Sequence, residues 1–558
     1  MANSKTPLQR LQSLITLERE DIGILITYGI GIGILSLATP VAVQALVNTI
    51  AFGALFQPLL VLTLVLLILL GFSNTLVALQ FYVVEMLQRR VFVRIFGETA
   101  TRLQQTRYAA NSDYHLPELT NRFFDVVTLQ KTASVMLLET LGYVLQTLIG
   151  MVLLAFYHPL LLAFDLFFIC ALAFILFAMG KQGIASATEQ SKAKYAAAAW
   201  LEDIAANPLL VKSSEHRAYI NAQTDRLAKH YVEASTQHFR ILSRQNIGAL
   251  VLHALASTLL LGMGGWMVIS NQLSLGQLIA AELVVGAMIY GLTRLGKTLE
   301  NVYELLASVD KIGYLLDLPQ ETEQGAAPEF ARKPYKVDIG NLSLAVSTHL
   351  DAISNSSLQI APGEQIVISG DIDKGSLLDV VYGLHPPSSG YVCLDGQDLR
   401  DLNLGQLRST IGLVRQVEIF AGNLLDNVRL GRDLNLTHIR KTLDQVGLLE
   451  TISALPDSLD THLLSNGYPL TREQCLRLTL ARTLAGQPRL LLLDRILDQL
   501  DSRILPTLLD HLLATNSPWT LIVTSQRPDI IAHFPRQLSI VNGGLIDSKA
   551  DNEGHYDN

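Results

Sequence analysis

The chain has 558 residues, of which 49% are hydrophobic and 16% charged, a balance too apolar for a soluble protein and a length that suits two large units. Its formal net charge of -8, with no dense Lys/Arg block, argues against a nucleic-acid binder. Cys170, Cys393 and Cys475 lie far apart without metal-ligand spacing, which argues for free thiols rather than a disulfide framework or a zinc site.

The stretch from Met1 to about Glu20 is polar and amphipathic and is expected to lie along the inner membrane surface. It contains no short apolar segment with a cleavage site, so no signal peptide is expected. Six membrane spans are predicted, at about Ile22–Phe52, Pro58–Val84, Leu137–Tyr157, Pro159–Met179, Ile247–Ile269 and Leu275–Leu295. Each apolar core reaches the roughly 20 residues needed to cross ~30 Å of hydrocarbon. The segments joining spans one to two, three to four and five to six are short and carry no Lys or Arg. Those joining two to three and four to five are long and basic, with Arg89, Arg90 and Arg94 in the first and Lys192, Lys194 and Arg240 in the second. The positive-inside bias therefore places both termini in the cytoplasm of a multi-pass inner-membrane protein. Helical periodicity makes the two basic segments spans that extend into the cytoplasm and turn back. Gln44, Asp165, His253 and Glu282 interrupt the apolar runs. Intramembrane polar groups point to a pathway, with interhelix seams as the plainer explanation, and none of the four identifies a cargo.

Residues 321–336, which include the charged run ETEQGAAPEFARKP, read as a linker. A soluble α/β domain is expected over 337–548, with a disordered tail at 549–558. Within it, Gly363 to Gly370 (GEQIVISG) forms an apolar strand entering a turn, and a helix starts at about Ser376-Leu377-Leu378. Strand, glycine-containing turn, helix is the frame of a P-loop. Further on, Leu470 to Asp501 reads as a polar turn, a helix containing LTLAR, a buried strand Leu490–Asp494 and a second turn ending at Leu500-Asp501.

With six spans, short outer hairpins and long inner arms before them, these motifs resemble an exporter-type ABC half-transporter, with a narrower likeness to the type I secretion and peptide-exporter branch. The resemblance covers nearly the whole chain. It implies a multidomain membrane protein, with a six-helix all-α transmembrane domain followed by an α/β P-loop-type nucleotide-binding domain. It implies arm tips near Leu116–Phe124 and Ala205–Val211 that dock on such domains, ATP and Mg²⁺ as cofactors, and a working dimer in which each ATP site is shared between subunits.

The site residues depart from that pattern one after another. A working P-loop needs glycines that let backbone N–H groups wrap phosphates, a Lys on the β/γ-phosphates and a hydroxyl on Mg²⁺. Here the turn is Gly370-Asp371-Ile372-Asp373-Lys374-Gly375-Ser376, shorter than the motif, with Lys374 at the lysine position and Gly375 where the hydroxyl belongs. Two carboxylates would face a triphosphate, and a like-charge pair at ~4 Å costs on the order of several kcal/mol even at an effective dielectric of about 20. Val346 stands where the family stacks an aromatic ring on adenine. Gln416 matches the Q-loop glutamine and is intact. The signature glycines are replaced in Leu470-Thr471-Arg472-Glu473-Gln474, where Thr471 and Gln474 form a capping-box pattern. Asp494 ends the Walker B strand, but Arg495 follows it in place of the catalytic Glu, and a guanidinium cannot act as a general base. Asp501 remains in the D-loop, and Gln526 takes the place of the switch His.

No catalytic residue is thus expected intact. Degenerate nucleotide contacts remain at Gly370, Lys374, Gly375, Ser376, Gln416 and Asp494, with no metal site of the chain's own. The expected function is a pseudo-ATPase half of an export system, as a homodimer or paired with a motif-complete ABC subunit. A periplasmic adaptor is among the partners the resemblance allows. The alternatives are a non-transporting membrane scaffold or regulator, and an ABC ATPase that binds ATP in an altered way.

Overall fold

Thr6 opens the helical half with a capping box: its side chain accepts from the Gln9 N–H, and the Gln9 side chain accepts from the Thr6 N–H at 2.9 Å. In this computed structural model the described residues are 6–51, 56–108, 116–321, 324–328, 333–347, 350–370, 375–541 and 543–547. Phe52, the loop Asp371-Ile372-Asp373-Lys374 and the predicted tail at 549–558 lie outside them. The chain divides into two compact units, the first ending at Gln320 and the second beginning at Glu321.

In the first unit the predicted opening span is a broken helix, Arg19–Ser36 followed by Ala38–Ala51. Pro40 explains the break, because it has no N–H to donate to the Ser36 carbonyl and its ring crowds that turn. The second span and its extension are one 49-residue helix, Phe56–Gln104. The helices of the third and fourth predicted spans, Leu141–Tyr157 and Pro159–Ala173, are each flanked by a π turn, at Met136–Thr140 and Phe174–Ala178. His158 caps the second of them by accepting from the Leu160 N–H at 3.1 Å, and Pro159 occupies the first helical position, where no donor is lost. Gly183–Ala206 and the 53-residue Arg217–Ile269 form the second arm, and Leu275–Thr293 and Leu295–Leu316 close the unit. Among the described residues five helices are long and apolar enough to cross a membrane, and the sixth predicted span corresponds to a shorter apolar helix, Leu275–Met288.

Leu154, Phe168, Leu260, Met267 and Val284 form a buried seam between these helices. Small residues permit close approach: a Cβ on Gly29 or Gly33 would meet the Leu145 and Ile149 side chains at 2.6 Å. Of the intramembrane polar residues, Gln44 accepts from the Tyr157 hydroxyl at 2.6 Å. Asp165 is buried on the face shared with Leu161, Phe164 and Phe168, and neither carboxyl oxygen has a hydrogen-bond partner. His253 is half-buried and Glu282 exposed.

The second unit is an α/β domain with two main sheets and a two-stranded ribbon. In chain order its strands are β1 (Val337–Ser347), β2 (Leu350–Ile360), β3 (Gln365–Gly370), β4 (Ser389–Leu394), β5 (Gln397–Asp398), β6 (Ile411–Val414), β7 (Gly422–Asn423), β8 (His462–Leu463), β9 (Leu490–Asp494), β10 (Thr520–Thr524), β11 (Arg536–Val541) and β12 (Gly544–Asp547). β2, β1, β4 and β5 form an antiparallel layer, and β7 pairs with β8. The central sheet runs β12-β11-β3-β10-β9-β6, parallel except for β12. Leu490, Leu491, Leu492 and Leu493 are all fully buried, as expected for a parallel strand covered on both faces. This sheet carries the ends of β3, β6, β9 and β10 to one edge. In open α/β sheets, that carboxyl edge is where ligands bind.

Candidate functional site

Gly370 and Asp494 end strands β3 and β9 at that edge, and Gln416 and Gln526 follow the ends of β6 and β10. Gly370 ends β3 with φ +123, a backbone state that favours glycine, and a Cβ there would lie 2.7 Å from the Ile540 carbonyl of β11. The helix Gly375–Val381 begins directly after the four-residue loop 371–374, so Gly375 and Ser376 sit at its first turn. Lys374 lies outside the described residues. Val346 lies on β1.

Asp494 ends β9, and both of its carboxylate oxygens are engaged from within the domain. Thr524, at the end of neighbouring β10, donates its hydroxyl to Oδ1 at 2.7 Å. Arg415, one residue beyond β6, donates Nε to Oδ2 at 2.5 Å. The same guanidinium donates Nη2 to Asp379 Oδ1 at 2.6 Å and to the Gly375 carbonyl at 3.1 Å. Strand register explains the encounter: β6 pairs in parallel with β9, Val414 opposite Leu493, so the next residue of each strand emerges at the same edge. The Arg415 side chain is 26% exposed, and those of Asp379 and Asp494 are 11% and 9% exposed. Burial disfavours the guanidinium's charge, but the hydrogen bonds and charges of Asp379 and Asp494 outweigh it and raise its pKa above the ordinary arginine value. The cluster is a largely buried ion triad packed against the P-loop-type helix.

Beside it, Arg495 adopts a left-handed backbone (φ +54), an uncommon state for a residue with a Cβ. Its N–H is held by the Thr524 carbonyl at 3.2 Å and the Thr524 hydroxyl at 3.0 Å. Its exposed guanidinium donates to the Gln526 side-chain oxygen at 3.1 Å. The residues at the catalytic-Glu and switch-His positions are therefore bonded to each other. Asp498 fixes the following turn, accepting from the Ser525 hydroxyl at 2.5 Å and the Gln526 N–H at 3.2 Å. Gln416 is brought to the same edge and is exposed.

The turn at 470–474 opens a helix of its own. Thr471 caps the 14-residue helix Arg472–Ala485: its Oγ1 accepts from the Gln474 N–H at 3.3 Å, and Gln474 Oε1 accepts from the Thr471 N–H at 2.8 Å. Glu473 accepts from buried Arg477 at 3.1 Å, which also donates to the Gly447 carbonyl at 2.7 Å. The cap is made by Thr471 and Gln474, while of the two residues at the signature-glycine positions Arg472 is exposed and Glu473 pairs with Arg477 in the first turns of the helix. Asp501 accepts from the Arg503 N–H and guanidinium at 2.9 and 2.6 Å, and those hydrogen bonds hold its carboxyl down to about 2.

Arg415 and Asp379 were not singled out in the sequence. A charged residue inside the apolar run LLDVV, and an arginine directly after the strand Ile411–Val414, were the available signals.

The ABC transporter transmembrane region family model matches residues 22–290, and the ABC transporter family model matches residues 353–496. A probable multidrug resistance ABC transporter ATP-binding/permease protein, YheI of Bacillus subtilis, is 23% identical over 51% of this chain and 50% of its own. An ATP-dependent lipid A-core flippase of Chromobacterium violaceum is 31% identical over 43% of this chain and 42% of its own. The chain spans about half the length of the curated relatives it matches. The solved structure of a bacterial Atm1-family ABC exporter with ATP bound superposes with a TM-score of 0.83 at 19% identity, covering 97% of each chain, a likeness of fold.

Proposed function

We infer that this chain, a multi-pass membrane protein with the two-domain architecture of an exporter-type ABC half-transporter, is the subunit of its transporter that does not hydrolyse ATP. ATP and Mg²⁺ use belongs to the family. The observation that carries the reading for this chain is the commitment of Asp494, whose two oxygens are already hydrogen-bonded to Thr524 and Arg415. Arg495 and Gln526, bonded to each other, support it, since neither can activate water. In this reading the first unit supplies spans and cytoplasmic arms, both termini are cytoplasmic, and the second unit serves as a platform for a motif-complete ABC partner. That partner's P-loop would face the turn at 470–474, so the shared site that keeps a working P-loop would lack only its signature side.

Loss of one positioned electrostatic stabiliser typically lowers a rate by about 10²–10³. Purified alone, the chain is therefore expected to release no phosphate from Mg·ATP above an Asp494→Asn control, and to bind a fluorescent ATP analogue no better than that control. Asp494-dependent phosphate release would overturn the reading. Affinity capture of the full chain from its native membrane is expected to bring down a motif-complete ABC subunit, whereas a stable homodimer alone would favour the scaffold alternative. The narrower affinity to type I secretion and peptide exporters belongs to this proposal. The relatives named for multidrug resistance and lipid A-core flipping supply the rival cargo classes, and transport by the reconstituted pair distinguishes peptide from amphiphile.

A further inference from the structure

We propose that Arg415 is the resident cation of this domain: its guanidinium stands where a divalent metal would bind and excludes one. The proposal rests on the non-hydrolysing reading above and concerns the same edge of the sheet. In P-loop proteins Mg²⁺ is held by the P-loop Ser/Thr and the aspartate ending the Walker B strand. The corresponding aspartate here is Asp494, and it belongs to a set of three oxygens that converge on one positive group. Asp494 Oδ2, Asp379 Oδ1 and the Gly375 carbonyl accept from Arg415 at 2.5, 2.6 and 3.1 Å. Two carboxylates and a carbonyl are the hard donors a divalent cation takes. A guanidinium cannot release its proton to make room, and a metal entering beside it would set like charges a few ångströms apart in a largely buried site. The remaining Asp494 oxygen is held by Thr524 at 2.7 Å, so the carboxylate is also fixed in the orientation that serves Arg415. These residues do not fit the family's metal, and the misfit has a single movable cause.

That cause can be removed. The full-length chain in nanodiscs is titrated with Mn²⁺ without nucleotide, and free Mn²⁺ is read by its paramagnetic resonance signal. The wild type is expected to show no saturable site that Asp494→Asn abolishes. Arg415→Met, which keeps bulk and removes charge, is expected to gain one site with a dissociation constant of about 10⁻³ M or tighter. The double variant Arg415→Met/Asp494→Asn should lose it again, and Arg415→Lys should not gain it. An Asp494-dependent Mn²⁺ site in the wild type overturns the proposal. So does Arg415→Met with wild-type circular dichroism and no gained site. Should Arg415→Met fail to fold, Arg415→Gln is titrated in its place with the same expected gain, and the wild-type comparison stands regardless. Phosphate release by the wild type sinks the functional reading whatever Mn²⁺ does. If the wild type hydrolyses nothing and folded Arg415→Met gains no site, only the resident cation is sunk.

Discussion

The interior of the central sheet and its carboxyl edge lie a few residues apart and obey different constraints. From Leu490 to Leu493 every side chain is fully buried, and the parallel register to β6 and β10 is unbroken. One residue later, at Asp494 and Arg495, the groups bond to neighbours within the domain: Asp494 to Arg415 and Thr524, Arg495 to Gln526. The interior is constrained by burial, which any loss of volume or apolarity violates. The edge is constrained by charge balance, which a different set of side chains satisfies as well. A domain can therefore keep its fold while the chemistry of its edge is replaced, provided the buried charges still find partners.

Four substitutions test that contrast. The largest effect is expected at the edge. Arg415→Ala leaves the Asp494 and Asp379 carboxylates without their cation, and breaking such a buried pair costs about 3–5 kcal/mol. Denaturant unfolding followed through buried Trp519 should report a lower midpoint for the second unit, whereas an unchanged midpoint would mean that the triad is not a structural unit. Leu492→Ala should come next, at about 2–5 kcal/mol for a buried leucine in a close-packed strand, by the same measurement. Thr471→Ala removes a helix cap and should cost about 1 kcal/mol, with the loss showing as faster amide exchange in the first turn of Arg472–Ala485. Last, Arg495→Glu restores the residue type that orients water, yet should raise phosphate release by less than about tenfold, because Arg415 still holds Asp494. A larger gain would place the defect at position 495 alone and collapse the distinction between edge and interior.

Much of the fold was legible in the sequence because it follows from local pattern. Long apolar runs gave the membrane helices, the Thr471/Gln474 spacing gave the cap, and the leucine run gave the central strand. The break at Leu37 was also within reach, since Pro40 lies inside the predicted first span. The π turns at Met136–Thr140 and Phe174–Ala178 have no comparable local signal. At the site, the resemblance to ABC nucleotide-binding domains picked out Asp494, Arg495, Gln416 and Gln526, which the fold brings to one edge. It could not pick out Arg415 and Asp379, because their meeting depends on the pairing of β6 with β9 and on the placement of the helix Gly375–Val381. Residues separated by 79 and 36 positions carry no periodic trace of contact.

Gly370 illustrates how a motif remnant can be misread. A glycine opening a phosphate loop invites the view that a trace of ligand handling survives. Yet the space denied to a side chain there is filled by the carbonyl of Ile540 on the adjoining strand. An alanine at 370 would press first on the joint between β3 and β11, so intolerance at this position would measure how tightly two strands close, whether or not any anion ever approaches.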